Sequence, residues 1–196
     1  EQVGKIPSED NLNVYQSNHY LALTNTFLKK YDLAESYFRK NIEMAEGGYD
    51  RQALFFMPSL HIFANNFDRA IEATGEYLEK LPSLELPYVG ENWQFSNTHF
   101  DRFLSYSHNQ QEDESYNEID LFAKYRMNII NYNKTSMTGS QYEESKERLD
   151  YQVILLNAWH DILFGRYDNA KESLSSARKY VDKWVKENPE AQFPYS

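Results

Sequence analysis

Cysteine is absent from this 196-residue chain. That excludes disulfides, zinc–thiolate sites, iron–sulfur clusters and thiol nucleophiles, and leaves the compartment open. Glycine is scarce, at seven residues, and Gly47-Gly48 is the one adjacent pair, so no glycine-rich loop can cradle a phosphate. No apolar run approaches the roughly 20 residues of a membrane span, and no signal peptide is legible. Cations are in deficit: 20 Lys and Arg face 30 Asp and Glu, a net charge of −10. With no basic cluster, neither nucleic acid nor insertion into a membrane is expected, and the negative charge reads as solubility.

Catalytic and metal motifs are missing too. The five histidines, His19, His61, His99, His108 and His160, include no His-Glu-x-x-His, and none has a Glu three residues before it. His160 and Asp161 are neighbours in sequence, but adjacent helical residues point about 100° apart. There is no Gly-x-Ser-x-Gly. The acidic runs Glu112-Asp113-Glu114 and Glu143-Glu144 read as solvated faces. No cofactor, no metal and no enzymatic activity are expected.

What the chain does contain is repetition. Stretches starting at Tyr15, Arg51 and Tyr151 align without gaps. Each has Gln at its second position (Gln16, Gln52, Gln152) and Phe or Leu at its thirteenth (Phe27, Phe63, Leu163). Each closes on aromatic-Asp-x-Ala: Tyr31 to Ala34, Phe67 to Ala70, and Tyr167 to Ala170. Repeats of this length signify stacked supersecondary units. Trp93-Gln94 suggests a fourth, degenerate copy, with an enlarged acidic turn from Asn109 to Ser115.

Period-2 alternation is lacking and helical spacing prevails, so the chain reads as all-α. Expected hairpins cover about 11–47, 49–82, 92–133 and 140–186, between a polar leader (1–10) and an extended tail (187–196). Gly47-Gly48 and Pro82 are expected helix stops. Pro58 predicts a kink or a late start in the third helix, and Ser140 with Glu143 a capping box. The two prolines and the glycine of residues 82–91 predict an ordered loop able to act as a lid or contact site.

The pairs Tyr31/Ala34, Phe67/Ala70 and Tyr167/Ala170, with Gly165, Phe38, Ala177 and Pro82, resemble the tetratricopeptide repeat. The first helices keep that family's pattern poorly: Asn25, His61 and Asp161 stand where it has Tyr. The resemblance implies a right-handed α-α superhelix of about four tetratricopeptide-like helical hairpins, whose first helices line a concave binding face. It places on that face Gln16, His19, Leu23 and Thr26, then Gln52, Phe55, Ser59 and Ile62, then Gln152, Leu155, Trp159 and Ile162. Each glutamine could bond a peptide backbone, a neighbouring repeat or solvent, and Trp159 could meet a ligand or fill an interface between hairpins.

The expected function is a non-enzymatic scaffold for a protein or peptide partner, within a larger protein. The alternatives are a small-molecule or glycan sensor, with Trp159 and Trp93 stacking on the ligand, and a metal-binding or enzymatic bundle. The start at Glu1 and the wealth of Asn and Tyr give a further expectation, a processed extracytoplasmic bacterial segment.

Overall fold

The computed structural model describes residues 9–45, 51–80 and 89–187. They form α1 (Glu9–Phe27), α2 (Tyr31–Met44), α3 (Arg51–Phe63), α4 (Phe67–Lys80), α5 (Val89–His108), α6 (Glu112–Asn133), α7 (Gly139–Leu163) and α8 (Tyr167–Glu187). A short 3-10 turn, Lys134–Ser136, precedes α7, and no strand occurs among the described residues. Sequential helices pair as four antiparallel hairpins stacked into an α-α superhelix. Each first helix (α3, α5, α7) packs on the second helix before it and touches the preceding first helix. The first helices therefore lie side by side as one layer.

Four turns close the hairpins in one way. Lys29, Asn65, Gln110 and Gly165 adopt positive φ of 57, 55, 59 and 75°. The next amide donates to the carbonyl five residues back: Lys30 to Asn25, Asn66 to His61, Gln111 to Tyr106 and Arg166 to Asp161, at 2.7–2.9 Å. This is the Schellman closure, which satisfies carbonyls the helix end would otherwise orphan. Only Gly165 adopts the left-handed region without a Cβ penalty.

Those bonds fix the register of the third hairpin and overturn two expectations. Gln110 is the counterpart of Lys29, so Asn97, not Gln94, holds the place of Gln16 and Gln52. The turn at Asn109–Gln111 has the same length as the others, and α6 begins at Glu112 rather than Tyr116. Glu112, Asp113 and Glu114 fill its first turn, where the helix dipole favours negative charge. Ser115 sits at the position of Ala34, Ala70 and Ala170, and all four are at most 2% exposed. A side chain this small lets the paired helices approach.

Two further expectations are corrected. Pro58 is buried within a continuous α3 that begins at Arg51, so the helix does not start late. It occupies the place of Ala22 and Ala158, where the partner helix comes close. The cap of α7 is Thr138 with Gln141, not Ser140 with Glu143. The Thr138 hydroxyl accepts from the Gln141 amide, and the Gln141 side chain accepts from the Thr138 amide. The leader through residue 8, the Gly47-Gly48 stop, Pro82, the loop as far as residue 88 and the tail from 188 lie outside the described residues.

The interior divides into two clusters. One joins Phe38, Ile42, Leu54, Met57, Leu60, Tyr77 and Phe95 across α2 to α5. The other joins Phe103, Ile119, Phe122, Leu149 and Leu156 across α5 to α7. Burial of this apolar area stabilises at about 25 cal/mol per Å2.

Candidate functional site

The layer of first helices carries every side chain that the sequence assigns to a binding face, but in different states. Gln16 and Gln52 are exposed and Gln152 is half-buried. His19 is buried instead, its ring against Phe38 and Phe56 at 5.9 and 5.6 Å. Leu23 and Phe55 pack against the first cluster, and Phe55 also meets the Trp93 ring at 5.7 Å. The Thr26 hydroxyl donates back to the Ala22 carbonyl. Leu155 and Ile62 are half-buried, and Ile162 is exposed. Trp159 is 40% exposed, with the rest of its ring edge-on to Phe100 and Phe103 at 6.5 and 5.8 Å. It joins the second cluster to the open face.

Ser59 does not point at an open face. Its hydroxyl donates to Asp101 of α5 at 3.0 Å, bridging two first helices. Leu156 and Phe56 hold the place of Asp101 in other hairpins, so a carboxylate stands here where neighbours use apolar packing. Burial pushes the Asp101 carboxyl up to about 7, and the bond from Ser59 offsets only part of that. Asp101 therefore titrates near neutrality.

Asn97 accepts at 3.1 Å from Arg126, whose guanidinium lies over the Phe122 ring. Burial lowers the Arg126 pKa, and the nearby Arg148 lowers it further. The sequence assigns none of Asn97, Asp101 and Arg126 to the binding face. The signal that would have found the first two is the match of Asp113 to Asp32, Asp68 and Asp168, which sets the third register.

A second polar region is a cleft of about 830 Å3 between α6, α7 and α8. Arg166 donates there to Asp161 at 2.6 Å, to Glu112, and to His160 Nδ1 at 2.6 Å. His160 Nε2 donates to the Glu112 carbonyl at 3.2 Å. This pattern assigns the neutral tautomer, in keeping with burial, which lowers the His160 pKa. The Arg166 guanidinium is spent on Asp161, Glu112 and His160, so the cleft reads as a joint between hairpins. Among the described residues no group of three His, Asp or Glu is placed to hold a metal ion, and no helix is long and apolar enough to cross a membrane.

No protein-family model and no curated protein matches the chain. Two solved structures are similar in backbone. A mutant of MamA has a TM-score of 0.42 and 13% identity, over 88% of this chain and 99% of that one. MamA MSR-1 C2 has a TM-score of 0.41 and 10% identity, over 86% and 97%.

Proposed function

We propose that the chain is a non-enzymatic interaction module that takes an extended peptide segment of a protein partner along its layer of first helices. The observation that carries this reading is the row of amides at one repeat position, Gln16, Gln52, Asn97 and Gln152, on helices that lie side by side. An amide both donates and accepts, which matches the alternating groups of a peptide backbone. Phe55 and Trp159, each partly packed and partly open, offer apolar anchors beside that row. The tetratricopeptide resemblance supports the same face.

The test is a peptide-display selection on the folded protein, followed by affinity measurement on a Q16A/Q52A/Q152A variant. Each amide that bonds a peptide contributes about 1 kcal/mol, so the triple variant should bind selected peptides at least tenfold more weakly with unchanged helicity. Peptides that bind the variant as well as the parent would sink the proposal.

A further inference from the structure

Among the described residues, the outer side of α1 and the outer side of α8 expose apolar positions whose counterparts at internal joints are buried. At each joint the outer side of a first helix covers the preceding second helix. Phe38, Thr74 and Ile119 occupy one position on the second helices and are 1, 0 and 1% exposed, whereas Leu174 at that position on α8 is 44% exposed. On the first helices Met57 is 1% exposed, and its α1 counterpart Leu21 is 42% exposed.

The aromatic pattern continues the same logic. Across the joint between α4 and α5, Phe67 and His108 stack with ring centroids 4.1 Å apart. Tyr167 holds the place of Phe67 on α8 and is 68% exposed where Phe67 is half-buried; Phe27 holds that of His108 on α1 and is 85% exposed, against 62% for Phe63 at that place on the covered α3. A shallow apolar groove of about 410 Å3 runs along α8 between Tyr167, Ala170, Leu174 and Arg178. At the last internal joint, the corresponding region of α6 receives His160, against the Glu112 carbonyl and the Tyr116 ring.

We infer that two copies of the chain associate head to tail, with the outer side of α1 from one copy seated on α8 of the other. The repeat itself selects a second copy as the occupant. Among the described second helices, α2, α4 and α6 are each covered by the outer side of a first helix. Among the described first helices, the one whose outer side is uncovered is α1. The contact would continue the internal joints, with Phe27 over Tyr167 and Leu21 near Leu174. Its two patches differ, so each associated pair keeps one free patch of each kind, and growth proceeds to chains or a closed ring.

The test is sedimentation velocity on the full chain from micromolar to millimolar concentration, with Leu21→Asp and Leu174→Asp as variants. Both residues are exposed, so both variants should keep parental helicity. The parent should grow in mass with concentration, and each variant alone should remain a monomer. Mixed in equal amounts, the variants should form a dimer that grows no further, because each retains the patch the other lacks. A parent that stays monomeric at millimolar concentration overturns the inference. So does growth that survives either substitution, or a mixture without dimers.

Discussion

The second and third hairpins share a backbone plan and a turn, yet their interiors are chemically unlike. On α3 and α4 the buried side chains include Ala53, Leu54, Met57, Leu60, Ala73 and Tyr77, all at most 4% exposed, with His61 and Thr74 the buried polar ones. On α5 and α6 the buried side chains include Ser96, Thr98, Ser105, Ser107 and Ser115, with His99 and Glu118, beside the apolar Phe95, Phe103, Ile119 and Phe122. Ser96, Thr98, Ser105 and Ser115 bond carbonyls three or four residues back on their own helices, so their burial leaves no orphan. Glu118 accepts from His99 Nδ1 at 2.5 Å and from Arg102 at 2.7 Å. The plan thus tolerates a polar interior that local bonding largely satisfies, the buried Ser107 hydroxyl being without a partner among the described residues. What changes is what accompanies the apolar packing: in the third hairpin the Phe103, Ile119 and Phe122 cluster shares the interior with Glu118, bonded to Arg102 and His99.

The largest expected effect breaks the polar side. Glu118→Ala strands His99 and Arg102 and should cost about 4 kcal/mol in urea unfolding, since removing one member of a buried pair leaves charge uncompensated. On the apolar side, Leu60→Ala should cost about 3 kcal/mol through lost transfer energy and a cavity.

The joint between these hairpins should respond to pH through Asp101. Its carboxyl holds a proton to about pH 7 when folded but only to about pH 4 when unfolded. The stability it contributes is full below about pH 4 and declines as pH rises through 7. Asp101→Asn should flatten that decline and gain about 2 kcal/mol at pH 8, a figure discounted because the residue as a whole is only half-buried. A parental stability that rises across this window would refute the assignment.

The smallest effects concern the turn that all four hairpins share. Gly165→Ala forces a Cβ into the left-handed region and should cost about 1 kcal/mol. Gln110→Gly should return a similar amount, read as opposite shifts in melting temperature.

Much of this was legible along the chain. The turn residues, the small positions Ala34, Ala70 and Ala170, and the helical period depend on side chains close in sequence. The third hairpin hid its register because Glu112 stands for an aromatic and Ser115 for an alanine, while Trp93-Gln94 imitates a start. Of the expected face, Gln16 and Gln52 are exposed, but His19 turns inward and Ser59 is taken by Asp101. No local pattern announces such pairings, because each partner belongs to another hairpin.

By itself, then, the sequence determined an all-α stack of four hairpins, since helix period, small-residue spacing and turn chemistry are local. Only the tertiary structure decided which polar groups are buried, which are paired and which stay open. Burial and pairing depend on the chemistry of whatever residue a neighbouring helix places opposite, as Ser59 and Asp101 show.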